Sequence, residues 1–141
     1  MNINKPLVSV LICSHNAEKF IKSTLTSVLN QTYRNIEILI LDNDSTDNTV
    51  PIIRTLALHS RPLLTYEVKK GPSVRLIEGK ENIGPYRGLN LLLNLAKGKY
   101  IARLDDDDVW ADDKKIEKQV NFLENNKDYV LVGGGVIKVD K

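Results

Sequence analysis

The sequence predicts an α/β sandwich built on a mainly parallel sheet, and three observations carry that expectation. Leu7 to Ser14 (LVSVLICS) and Ile36 to Leu41 (IEILIL) are β-branched and apolar on both faces, as strands covered on both sides must be. Segments of helical periodicity separate the apolar runs, so strand and helix alternate along the chain. Each run ends in a polar loop, and sheets of this kind gather their ligands at the carboxyl ends of their strands.

Between the first two strands, Asn16 is placed to cap a helix in which Phe20, Ile21, Leu25, Val28 and Leu29 recur at helical spacing. Gln31-Thr32-Tyr33 then breaks the pattern. After Leu41, the stretch DNDSTDNT can cap a second helix through Ser45 or Thr46, with Val50, Ile53, Leu56 and Ala57 as its apolar face. Pro51 fits there only in the first turn. The segment from His59 to Gly71 is punctuated by Pro62 and Gly71-Pro72 and has room for a short strand around Leu64 to Val68. Val74 to Ile77 predicts a strand, and ENIGP a turn into a helix that starts near Pro85, buries Leu89, Leu92, Leu93 and Ala96, and ends at Gly98. Tyr100 to Leu104 is the next strand, followed by the acid run Asp105 to Asp108. A helix marked by Ile116, Val120 and Leu123 and a last apolar strand near Tyr129 to Val132 complete the order.

At 141 residues, 42% hydrophobic and 27% charged, the composition is that of one ordinary globular domain, residues 1–141. Lys and Arg number 20 against 18 Asp and Glu, a net charge of +2, too balanced to argue for a nucleic-acid footprint or a polybasic membrane anchor. The single cysteine, Cys13, excludes an internal disulfide and a multi-Cys zinc site. No apolar run is long enough to span a bilayer and the first residues lack a signal-peptide pattern, so a cytoplasmic chain is expected, with peripheral membrane association left open.

Four loops carry the polar chemistry: Ser14 to Asn16, Asp42 to Asp47, Asn82 to Arg87, and Asp105 to Asp108. Close carboxylate pairs in the acid run repel by up to about 4 kcal/mol at an effective dielectric near 20, and Mg²⁺ or Mn²⁺ would offset that while taking only one or two of them. The competing reading is a solvated acidic turn that caps a helix beginning near Asp112. Asn43 can accept from and donate to a nucleobase edge, although an Asx turn with an N-cap also explains Asp42 to Ser45. The His15 imidazole can stack on a base beside Ser14, or be an ordinary loop histidine. Asn82 and Gly84-Pro85 precede a helix whose amino end favours an anion, with Arg87 in reach of a diphosphate; a plain turn and a solvated Arg87 is the alternative. Residues 71–80 lack phosphate-loop spacing, and Gly133-Gly134-Gly135 opens no evident helix, so the common ATPase and dinucleotide fingerprints are rejected.

As a set, VSVLICSHNAEKFIKSTLTSVLNQTYRNIEILILDNDSTDNT and ENIGPYRGLNLLLNLAKGKYIARLDDDDVW resemble the amino-terminal half of the family 2 glycosyltransferases, nucleotide-sugar enzymes of the GT-A fold. The resemblance implies a three-layer α/β/α sandwich with a mainly parallel, Rossmann-like sheet. It implies that Cys13, Ser14, His15, Asp42 and Asn43 hold the nucleoside, and that Asp105 and Asp106 approach ribose and phosphate. Asp107 would bind Mn²⁺ or Mg²⁺ at the D-x-D segment, with Asp108 supporting the loop. His15 stands where tyrosine is usual and Asn43 where a second aspartate is frequent, and either change bears on base preference. The implied reaction moves a sugar from a nucleoside diphosphate to an acceptor hydroxyl with inversion, in polysaccharide or glycoconjugate synthesis. In this family the general base comes from a later part of the domain, so none of these residues is named as the base. The chain is expected to be the donor-binding half, without the acceptor-binding half. The alternatives are a non-catalytic nucleotide-binding or interaction module, and a nucleotidyltransferase, which would need a Gly-rich triphosphate loop that is not recognisable here.

Overall fold

The computed structural model describes residues 5–59 and 72–138. Eight elements alternate: β1 (Val8–Ser14), α1 (Ile21–Leu29), β2 (Ile36–Asp42), α2 (Thr49–His59), β3 (Ser73–Glu78), α3 (Pro85–Leu95), β4 (Tyr100–Arg103) and α4 (Lys115–Asn125). The four strands form one parallel sheet in the order β3-β2-β1-β4, with Val8 opposite Ile36 and Tyr100, and Ser14 opposite Asp42. The short strand expected at 64–68 lies outside the described residues.

Strand periodicity divides the central strands between two cores. Val8, Val10 and Ile12 of β1 and Ile36, Ile38 and Ile40 of β2 face one layer, where they pack with Ile21, Leu25 and Val28 of α1, Ile53 of α2, and Ile116 and Val120 of α4. Leu11 of β1 and Leu39 and Leu41 of β2 face the other layer, against Leu92 of α3 with Cys13 and Leu89 beside it. The sandwich therefore has the three layers that the doubly apolar runs predict. Each fully buried aliphatic side chain contributes roughly 1.5–3 kcal/mol, so the central strands dominate the stabilising term. At the amino ends of the strands, the buried Ser9 hydroxyl donates to Glu37 and accepts from the Gly98 N–H at 2.8 Å, which fixes the turn between α3 and β4.

Four sequence expectations are corrected. Asn16 does not cap α1, which begins after Phe20 without a side-chain cap; Asn16 has φ 51 and its Oδ1 accepts the Thr46 N–H at 2.9 Å. Neither Ser45 nor Thr46 caps α2, because Asp47 Oδ1 accepts the Thr49 N–H at 2.9 Å; Pro51 does fall in the first turn. Leu93 is 42% exposed and α3 stops at Leu95, before Gly98, because the helix lies on the sheet with a narrow stripe through Gly88 and Leu92. No strand forms at 129–132: Tyr129, Val130 and Leu131 are exposed, and a strand needs a neighbour's hydrogen bonds that no described strand provides there.

Candidate functional site

The chain runs β1 to β2 to β3 toward one edge of the sheet and then returns to place β4 on the other side of β1. The helices that follow β1 and β4, α1 and α4, pack on the same face of the sheet, so the loops leaving the carboxyl ends of these neighbouring strands run to one side of it. Ser14-His15-Asn16 follows β1 and the acid run follows β4, so the topology puts these loops side by side. The His15 N–H donates to Asp106 Oδ2 at 3.1 Å and joins them.

The β2 loop completes the same rim. The Asn43 N–H donates to the Ser14 carbonyl at 2.7 Å, and His15 Nδ1 donates to the Asn43 carbonyl at 2.9 Å. A carbonyl only accepts, so the His15 proton sits on Nδ1, leaving Nε2 to accept from Asn16 Nδ2 at 3.2 Å. The Asn43 side chain, almost fully buried, reaches the turn before α3. Its Nδ2 donates to Asn82 Oδ1 at 2.7 Å and its Oδ1 accepts the Ile83 N–H at 2.9 Å. Asn82 Oδ1 also accepts the Gly84 N–H at 2.9 Å, and Gly84 has φ 79, a left-handed conformation that suits glycine. Ser14, His15, Asn43, Asn82 and Asp106 thus form one connected rim. Arg87 stands exposed in the first turn of α3.

Among the described residues, two buried polar atoms at this end of the sheet have no protein partner, Ser14 Oγ and Asp42 Oδ1, on residues opposite each other in the register. Buried polar groups are nearly always hydrogen-bonded, so two adjacent exceptions at strand ends mark unused bonding capacity beside the rim. Asp42 Oδ2 accepts the Ser45 N–H at 3.1 Å, so the Asx-type turn expected of this loop is present as well. Cys13 lies half-buried in the layer of α3; burial, then the charges of Asp106, Asp105 and Asp42, push its thiol pKa up, which leaves it a poor nucleophile.

The acid run does not cap α4. The N-cap of α4 is Lys114, with no side-chain cap bond, and the turn before it is closed by Asp112, whose Oδ1 accepts the Lys114 N–H at 2.9 Å and whose carbonyl accepts the Lys115 N–H at 3.1 Å. Arg103 donates from Nη2 and Nε to Asp105 Oδ1 at 2.8 and 3.1 Å, but both side chains are more than half exposed and such a pair offsets at most about 1 kcal/mol. Asp106 is half-buried, while Asp105, Asp107 and Asp108 are exposed. Among the described residues no three His, Cys, Asp or Glu side chains converge into a complete metal cage. A one- or two-carboxylate site open to solvent suits Mg²⁺ or Mn²⁺, which keep positions for water and phosphate oxygens. The residues present fit such an ion.

Sequence reading missed the side chains that support these loops. Buried Thr49 Oγ1 accepts the Ala17 N–H at 2.8 Å, Ser45 Oγ accepts the Asn16 N–H at 2.9 Å, and Thr24 and Gln31, both fully buried, bond to the segment carrying the acid run. Apolar Val28 follows Thr24 by four residues and precedes Gln31 by three; polar residues recurring on an apolar helix face were the available signal.

The family model described as glycosyl transferase family 2 matches residues 9–141. A Haemophilus influenzae protein named as an uncharacterized glycosyltransferase is 36% identical over 136 residues, covering 96% of this chain and 38% of that protein. The Escherichia coli UDP-Glc:alpha-D-GlcNAc-diphosphoundecaprenol beta-1,3-glucosyltransferase WfaP is 36% identical over 134 residues, covering 95% of this chain and 48% of its own length. The chain thus spans less than half of each of these relatives. Among solved structures, the mannosyltransferase PcManGT from Pyrobaculum calidifontis, in complex with GDP-Man and Mn²⁺, superposes with a TM-score of 0.73 at 24% identity, covering 86% of this chain and 33% of that one; the likeness shows a shared GT-A fold.

Proposed function

The chain belongs to glycosyl transferase family 2, and from that premise we propose that the rim formed by the loops after β1, β2 and β4 binds the nucleoside-diphosphate sugar donor of a metal-dependent, inverting sugar transfer to an acceptor hydroxyl. One observation carries the reading: the bond from the His15 N–H to Asp106 Oδ2 brings the nucleoside-side loop and the acid loop onto one rim. His15 offers a flat ring whose orientation is fixed at both nitrogens, against which a base can stack. Cys13, Ser14, Asp42 and Asn43 line the nucleoside end, Asp105 and Asp106 the ribose and phosphate end, and Asn82 and Arg87 flank the amino end of α3, where an anion is favoured.

Asp107 would hold Mn²⁺ or Mg²⁺, with Asp108 supporting the loop. The chemistry such a cation supplies is neutralisation of the charge on the departing diphosphate. The chain's own part is to bind the nucleoside, orient the diphosphate along the acid loop and present the sugar carbon to an acceptor. No residue is assigned as the general base. A relative that glucosylates a diphosphoundecaprenol-linked sugar supports a place in polysaccharide or glycoconjugate synthesis.

The test is calorimetry with UDP, GDP, CMP and dTDP sugars, each with and without Mn²⁺. The proposal expects one base to bind more tightly than the others and binding to strengthen with the metal. Equal, metal-independent heats across the panel would contradict it.

A further inference from the structure

The acid loop and the turn after it are irregular backbone, and one face of α1 with its continuation supplies partners for several of their peptide groups. Thr24 Oγ1 donates to the Asp106 carbonyl at 3.0 Å, sharing its proton with the Phe20 carbonyl at 3.3 Å. Ser27 Oγ accepts the Trp110 N–H at 3.2 Å while donating to the Thr24 carbonyl. Gln31 Nε2 donates to the Asp112 carbonyl at 2.8 Å and its Oε1 accepts the Ile116 N–H at 3.1 Å; the neighbouring Thr32 N–H donates to the Asp113 carbonyl at 2.8 Å. Thr24, Ser27 and Gln31 stand at i, i+3 and i+7, which places them in one row along the helix and its continuation.

Packing alone does not call for polarity in that row. Thr24 and Gln31 are fully buried, and a buried hydroxyl or amide without a partner costs about 1–3 kcal/mol, so apolar residues would serve a plain helix contact better. Thr24 reaches the acid run itself at Asp106, and Gln31 reaches the turn and the first residues of α4 that follow it. Backbone tethers of this kind hold the loop without occupying a carboxylate oxygen.

We infer that Thr24, with Ser27 and Gln31, is a positioning residue that holds the acid loop in its ligand-competent place before any ligand arrives. Thr24 touches only the loop's backbone and acts through it. What the loop is held ready for rests on the proposed donor site, whereas the tether itself is a property of the donor-free chain.

The experiment compares the unmodified chain with Thr24→Val, Thr24→Ser and Ser27→Ala. Amide hydrogen exchange is read without metal or nucleotide, and Mn²⁺ alone is titrated by electron paramagnetic resonance. Loss of one net hydrogen bond predicts about five- to tenfold faster exchange at Asp108 and Trp110 in Thr24→Val, near-native rates in Thr24→Ser, and unchanged rates at Val10 to Ile12. Ser27→Ala should speed Trp110 exchange by a similar factor, and it serves if the valine variant fails to fold. Weaker Mn²⁺ binding in Thr24→Val, restored in Thr24→Ser, supports the same conclusion. Unchanged loop exchange in the folded variants, or serine and valine behaving alike, overturns it. If the unmodified chain binds no Mn²⁺, the donor-site reading fails while the exchange rates still decide the tether.

Discussion

The His15 N–H and Asp106 Oδ2, 3.1 Å apart, join positions 91 residues distant in sequence and link the loops that follow β1 and β4. That bond separates two roles of Asp106, an acceptor for its neighbour and the charge it would offer in the proposed donor site. Asp106→Asn keeps an acceptor oxygen and removes the charge. It should melt near the unmodified temperature while Mn²⁺-dependent donor affinity falls roughly tenfold or more, since a charged hydrogen bond contributes about 1.5–3 kcal/mol. Asp106→Ala also strands the His15 N–H and should lower the melting temperature as well. Thermal melts beside calorimetry of both variants check this.

Asn43 links β2 to the turn before α3 through both ends of its amide. Asn43→Asp would set a carboxylate against Asn82 Oδ1, which cannot turn away without giving up the Gly84 N–H. The expected outcome is a loosened 82–84 turn, seen as faster amide exchange at Ile83 and Gly84, together with a changed order of base preference in the nucleotide panel.

Gly88 is where α3 lies closest to β1: a Cβ there would fall 2.6 Å from Cys13 Sγ and 2.9 Å from Leu41 Cδ2. Overpacking of this kind costs about 1–3 kcal/mol, against a helix-propensity gain near 1 kcal/mol for alanine over glycine. The clash should win, so Gly88→Ala is expected to lose stability in urea denaturation. Adding Cys13→Ala removes the nearer obstacle, and the double variant should be more stable than the two single losses added together.

Much of this architecture can be read from the chain because β1 and β2 are sandwiched, and double coverage leaves an unbroken apolar run in each. Ile116, Val120 and Leu123 of α4 are legible for a related reason, since one side of that helix is buried and the rest is polar. Expectations failed where the deciding partner is remote. Asn16 has the composition of a cap, but its amide is claimed by Thr46 and His15, and nothing within its own helix reveals that. Leu93 follows the helical period, but α3 buries too narrow a stripe to cover it. Thr24 reads as an ordinary polar helix residue, and Gln31 as part of the stretch that ends the helix, until the segment that they hold, more than 80 residues later, is folded against them. The rim residues Ser14, His15, Asn43, Asn82 and Asp106 were recognisable as loop chemistry, whereas the bonds joining them were not.

Glu124 accepts hydrogen bonds from Lys99, Tyr100 and Lys127, and these hold its carboxyl down at about 2, from an ordinary 4.5. A depressed carboxylate stabilises the fold fully above its unfolded value and loses that contribution as pH falls through the folded one. Glu124→Gln should therefore melt below the unmodified chain at neutral pH, and the gap should close as pH falls from 4.5 toward 2. Melting curves across that window check the sign.

The most direct measurement of the proposed donor site is anomalous scattering from crystals grown with Mn²⁺ and the nucleotide sugar that binds best. A manganese peak against the Asp107 carboxylate, bridging to the diphosphate, with the base beside His15 and Asn43, is the predicted result. Nucleotide bound elsewhere, or no manganese at the acid loop in crystals that contain the donor, would contradict it.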